Sequence, residues 1–212
     1  MISVVGYGSL LSEQSARETV PGLQNFRIVS VSGYRRVFNK VGIVFLSRHA
    51  VAPDSLEIAS CSTQTDPEGE ILCSQFECTA ADFAFLIERE HRFQWVEVET
   101  LDLAGQRMTG QMCTTSTDHY YRNHKCQSDR EYHERVGQFY SGQIWRDDIL
   151  PFPRYLAFCL QAAQGQGEEV LNNFLDSSFL ADGITTVRAH INQHTLLRQW
   201  HKIDTGYTYR PR

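Results

Sequence analysis

The chain opens on Ile2-Ser3-Val4-Val5, an apolar run, and drops without a spacer into Gly6-Tyr7-Gly8-Ser9-Leu10-Leu11. This junction constrains the fold more than any other feature. Two residues without Cβ flank an aromatic one, so the backbone can turn sharply and bring its N–H groups close to a ligand. Taken alone, such a string is more often a tight turn than a binding loop.

The remaining bounds come from composition. A length of 212 residues fits one large domain, or one domain with an extension. An apolar share of 42%, with 12 Phe, 9 Tyr and 3 Trp, is ample for a core. A formal charge of −5 leaves no basic stripe to neutralise phosphates, so no nucleic-acid partner is expected. The N-terminus lacks the basic region of a secretory signal. The longest apolar runs, such as residues 155–160, are too short to span a bilayer, so no membrane partner is expected. The six cysteines then read as reduced thiols in a cytoplasmic protein, with Cys159 in a helix core. Cys73 and Cys78 are an odd number apart on one strand and cannot bridge within it.

Near residue 118 the chain changes character. Before it, strands are expected over 2–6, 26–33, 36–38, 43–47 and 58–62. After a turn at Asp66-Pro67-Glu68-Gly69 another follows over 70–76. A helix over 12–20 stops at Pro21-Gly22, and a second covers 79–91. Strands over 96–101 and 108–114 flank a turn at Ala104-Gly105. Beyond 118 the pattern is helical, over 129–140, 154–163, 168–174 and 185–191, with a tail from Asp204. No Gly/Ser linker separates the halves. We therefore expect a domain over 1–118 with a helical extension over 119–212 packed on it.

The helix over 79–91 carries the most chemistry. Thr79 is a good N-cap, with Asp82 placed to complete a capping box. At a period of 3.6, Phe83, Leu86 and Ile87 form one apolar stripe, and Glu90 projects from it while Glu88 and Arg89 point away. A carboxylate on a core-facing side must find partners, stay protonated or line a cavity. Burial of this kind suits a general acid or base near neutral pH. The bland alternative is a glutamate that bends out to solvent at a helix end.

Other constellations are weaker. Asp118-His119-Tyr120-Tyr121, with His124, Cys126 and His133, is rich in ligating residue types, but the spacings match no standard zinc pattern and no metal is expected. The tyrosines there suit flanking a pocket or packing the extension. His190 and His194 lack the Glu of a metalloprotease helix and read as a solvated face. Gly6-x-Gly8 lacks the third glycine of a dinucleotide fingerprint, and no Gly-Lys-(Ser/Thr) loop occurs, so no cofactor is expected. Ser9 has no assignable His partner. No pattern encodes an oligomeric state.

Loop, turn and helix together resemble the γ-glutamylcyclotransferase-like family, also called AIG2-like and related to the ChaC-type enzymes. Its strand and Tyr-Gly-Ser-(Leu or Asn)-Leu loop are matched by Tyr7-Gly8-Ser9-Leu10-Leu11, and its Leu-x-x-Arg-Glu string by Leu86-Ile87-Glu88-Arg89-Glu90. Asp66-Pro67-Glu68-Gly69-Glu70-Ile71-Leu72 resembles the turn and strand between them, and the order agrees over roughly residues 2–115. The resemblance implies an α+β fold: a small, mixed β-barrel-like sheet with packed helices. It implies a lyase or acyltransferase that cyclises a small γ-glutamyl amide to 5-oxoproline, as in glutathione metabolism. Glu90 would be the catalytic acid/base, and Tyr7, Gly8, Ser9, Leu10, Phe93 and Tyr120 would bind substrate. Where the family follows its glutamate with Gly and then Tyr, this chain has His91-Arg92-Phe93-Gln94-Trp95. Phe93 supplies the ring without the hydroxyl. His91 and Arg92 add positive charge that could bind a substrate carboxylate or mark a retuned pocket. Two alternatives stay open: a non-catalytic γ-glutamyl or amino-acid-binding protein, and a hydrolase or amine-specific relative.

Overall fold

The computed structural model describes residues 1–52 and 54–206; of the tail expected from Asp204, residues 207–212 lie outside them. Strands β1 (Ile2–Gly6), β2 (Gln24–Val41), β3 (Glu57–Cys78), β4 (Gln94–Asp102) and β5 (Arg107–Thr114) close into a barrel in the order β3-β1-β5-β4-β2, with β2 returning to pair with β3. The expected mixed α+β barrel is thus present. β1 runs parallel to β5, at Val4↔Gln111, and antiparallel to β3 from Ile2↔Cys78 to Gly6↔Ser74. Two short strands lie outside the closure: β6 (Leu150–Pro151) beside β3 and β7 (Ser178–Leu180) beside β2.

Strand alternation divides the core. On β1, Val5 faces inward among Val29, Ile71, Val98 and Met112, while Val4 faces outward with Phe76 and Cys78. The outer layer is covered by helix α1 (Glu13–Thr19), through Ala16, and helix α3 (Ala80–Arg89), through Leu86. Elsewhere helices α6 (Pro153–Gly165) and α7 (Glu168–Asp176) pack on β2, where the Phe38 ring meets Tyr155 and Phe174 edge-on at 6.3 and 6.4 Å. Between these lie the helical turns α4 (Asp118–Tyr120) and α5 (Asp129–Tyr132), each widening into a π-helical turn, and α8 (Val187–Gln193) follows α7.

Four local expectations need correction. The apolar run over 43–47 is a helix, α2 (Ile43–Arg48), because Phe45 docks on Phe152 and Tyr155 of the α6 region at 4.5 and 5.5 Å. Asp66–Gly69 does not end a strand. It bulges within β3 opposite Gly33, between the pairs Ser32↔Glu70 and Tyr34↔Thr65. The helix expected over 129–140 ends its regular part at Tyr132 and its π-helical part at Gly137. His190 is buried, not solvated, with its ring 4.9 Å from that of His194. All six cysteines are free and buried.

Candidate active site

The loop after β1 is built by close approach. A Cβ on Gly6 would lie 2.4 Å from Leu10 Cβ and 2.9 Å from Ser74 Oγ, so the chain can fold back over this residue only as glycine. A Cβ on Gly8 would lie 3.0 Å from the Tyr155 hydroxyl. Residues Ser9–Leu11 form one 3₁₀ turn, whose leading N–H groups have no partner within the turn. Ser74 Oγ lies within hydrogen-bond reach of the Leu10 and Gly6 carbonyls, at 2.7 and 3.2 Å, and ties the two ends of the loop together.

Arg36 holds the loop from below. Its side chain is fully buried; Nε donates to the Tyr7 carbonyl at 2.8 Å, Nη2 to the Leu72 carbonyl, and Nη1 to Asn173 Oδ1 at 3.2 Å. Its guanidinium also lies over the Phe174 ring, 4.8 Å from the centroid. Asn173 in turn accepts from the Leu72 N–H at 2.8 Å and donates to the Glu70 carbonyl at 3.0 Å. Burial lowers the Arg36 pKa, with Cys73 and Cys61 opposing.

Glu90 stands at the end of α3. Thr79 and Asp82 form the capping box at the start of α3 through Asp82 N–H to Thr79 Oγ1, 3.1 Å, and Thr79 N–H to Asp82 Oδ2, 3.4 Å. Leu86 is buried and Phe83 meets the Trp95 ring at 5.0 Å, which fixes the rotation of the helix. Glu90 is its C-cap, and the chain turns into β4 through Phe93 N–H to Glu90 O, 2.9 Å. The Glu90 side chain is 24% exposed, with Oε1 3.1 Å from Arg89 Nε. Arg89 therefore does not point away: it also donates to Thr19 Oγ1. Glu88 does turn outward, to Arg135 at 2.7 Å.

Tyr7 lies in the field of Glu90. Burial pushes the Tyr7 phenol well above its ordinary pKa, and the charges of Cys113, Cys61 and Glu90 push it further. Burial and then Glu90 raise Cys113 in the same way. Phe93 is buried beside them, with Lys40 Nζ 4.7 Å from its ring centroid. Tyr120 stands apart: it is 38% exposed, its ring 5.1 Å from that of His124, whereas its neighbour Tyr121 is fully buried against His91. His91 is lowered by burial and Arg135.

Two residues at the site were missed from sequence. Lys40 is 7% exposed and donates to Ser60 Oγ at 3.3 Å; burial first, then Arg92, lowers its pKa to about 7, with Glu90 opposing. The signal was a lysine inside Val37-Phe38-Asn39-Lys40-Val41, where an exposed strand face would be more polar. Arg36 carried the same signal three residues after Gly33. Beyond Phe93, whose ring meets Trp145 at 5.7 Å, Trp145 forms the wall of a cavity of about 680 Å³ shared with Asn39, Gln64, Ser116 and Tyr140.

A structure described as gamma-glutamyl cyclotransferase superposes with a TM-score of 0.55 at 11% identity, over 81% of this chain and 83% of that one. An uncharacterised protein from Homo sapiens superposes at 0.54 with 12% identity, over the same shares. The fold is that of the γ-glutamylcyclotransferases. No family model matches the sequence, and no curated protein does. Among the described residues no helix is long and apolar enough to cross a membrane.

Proposed function

We propose that this protein is a γ-glutamylcyclotransferase-like enzyme of the cytoplasm that cyclises a small γ-glutamyl amide to 5-oxoproline and releases an amine. The observation that carries the proposal is the Glu90 carboxylate, mostly buried at the end of α3, whose charge contributes to raising the buried phenol of Tyr7 in the loop. The nucleophile is already in the substrate. Its α-amine attacks its own γ-carbonyl, the C–N bond to the leaving amine breaks, and no water is consumed. The chain must therefore fold the substrate and move a proton, and both tasks need only groups already described.

Glu90 takes the proton from the attacking amine and returns one to the leaving nitrogen. The N–H groups of Gly8, Ser9 and Leu10 hold the γ-glutamyl part, with Tyr7 and Phe93 as walls. Tyr120 would reach the substrate only as an outer contact. A donor aimed at a developing oxyanion is typically worth about 3–4 kcal/mol.

The test is a panel of γ-glutamyl compounds, glutathione included, with 5-oxoproline read by mass spectrometry. Wild type should form it, and Glu90→Gln should slow it by about 10²–10⁴-fold. Free glutamate in its place would mean attack by water. Binding in both forms without any product would leave a binding protein.

A further inference from the structure

Around Glu90 the positive charges outnumber the negative. Arg89 already pairs with the Glu90 carboxylate. The other carboxylates nearby, Glu88 and Glu131, are taken by Arg135. Lys40 and Arg92 remain, and they lie close enough to repel each other. Among the described residues neither makes an ion pair. Among the described residues the Lys40 ammonium donates to Ser60 Oγ, a neutral hydroxyl at 3.3 Å whose own proton goes to the Lys40 carbonyl at 3.0 Å. Arg92 donates through Nη2 to the Arg135 carbonyl at 2.6 Å, while its Nε is buried without a partner. A buried cation without a counter-charge is costly, and a buried donor without an acceptor adds to that cost. Two such groups, one packed on Phe93 and the other its chain neighbour, leave an unfilled demand for an anion beside the turn that follows Glu90.

We propose that Lys40, backed by Arg92, is the receptor for the carboxylate on the substrate's own nucleophile-bearing carbon. The inference rests on the cyclotransferase reading and deepens it. The amine that gives its proton to Glu90 and the α-carboxylate sit on one carbon atom. A cation packed on the turn that follows Glu90 is therefore placed to meet that carboxylate. Lys40 meets this condition on a rigid strand, its ammonium held between Ser60 and the face of Phe93. A cation here also favours the free amine over the ammonium, the form that attacks. The same arrangement rejects substrates whose α-carboxylate is blocked.

The probes are 5-oxoproline and its carboxamide, which differ only in that carboxylate, titrated calorimetrically into wild type, Lys40→Met and Lys40→Arg. Wild type should bind the acid better than the carboxamide by about tenfold or more, the scale of a charge-assisted hydrogen bond. Lys40→Met should erase the preference without changing carboxamide binding, and Lys40→Arg should restore most of it. Equal binding of acid and carboxamide by wild type, equal losses of both in Lys40→Met, or no binding of the acid would each overturn the proposal. Failure of the parent reading looks different: the acid would bind through Lys40, yet no γ-glutamyl compound would yield 5-oxoproline.

Discussion

A lysine buried beside Phe93 without a paired carboxylate should destabilise the fold, and the cost should vanish with its charge. Lys40 has a folded pKa of about 7 against an ordinary 10.5. Between these values the unfolded chain binds more protons than the folded one, so the slope of unfolding free energy against pH is positive: Lys40 costs stability at low pH, and raising the pH relieves it. At pH 7 the unfolded lysine is fully charged and the folded one half charged, which puts the cost at about 4 kcal/mol; at pH 10 it falls to about 1 kcal/mol. Lys40→Met keeps the volume and removes the charge. It should therefore be more stable than wild type by up to about 4 kcal/mol at pH 7, and the gap should close to about 1 kcal/mol at pH 10. The charged groups acting on Lys40 are Arg92, Glu90 and Cys113. They are common to both proteins, as are the buried cysteines with raised pKa values, so their own titrations largely cancel in the difference. The assay is urea unfolding under reducing conditions, followed by the fluorescence of the three tryptophans. A gap that does not change between pH 7 and 10, or a Lys40→Met protein less stable at pH 7, would refute the reasoning.

Gly6→Ala should destabilise by about 1–3 kcal/mol, because the new methyl meets Leu10 Cβ at 2.4 Å on backbone that cannot give way; a melting temperature equal to wild type would show that the loop is looser than described. Arg36→Met leaves the carbonyls of Tyr7 and Leu72 without their donor. Amide exchange in the Tyr7–Leu10 loop should speed up even where the barrel stays protected, and unchanged exchange would remove Arg36 as the loop's support. The Glu90→Gln and Lys40 experiments complete the set, the first reading rate and the second affinity.

How far the sequence disclosed these features follows how local each one is. The rotation of α3 and the position of Glu90 at its end were legible because capping and a 3.6-residue period are written in neighbouring residues. The Gly6–Leu10 loop was legible for the same reason. The run over 43–47 was not: a short apolar stretch reads alike as strand or buried helix, and what decides it is Phe152 and Tyr155, remote in the chain. The turn at Asp66–Gly69 had the right composition, yet β2 continues alongside it and turns it into a bulge. Arg89 was misread because the apolar stripe predicts one buried side, while Thr19 of α1 supplies a polar partner on another. Lys40 and Arg36 were hidden for a deeper reason. Lys40 is singled out by its missing counter-charge and Arg36 by its bonds to Tyr7, Leu72 and Asn173, and both depend on elements remote in the chain.

Asn173 also bears on the order of events as the chain is made. It accepts from Leu72 and Arg36 across separations of 101 and 137 residues. At a synthesis rate of about 5–20 residues per second, α7 emerges on the order of 5–20 s after the strand it completes. Through that interval the hairpin of β2 and β3 must wait with a buried guanidinium only partly answered. We predict a delayed lock. Nascent chains stalled before α7 clears the ribosome should leave the Tyr7–Leu10 loop open to protease, and chains stalled beyond it should protect the loop. Equal protection in both would mean that the barrel sets its own mouth without help.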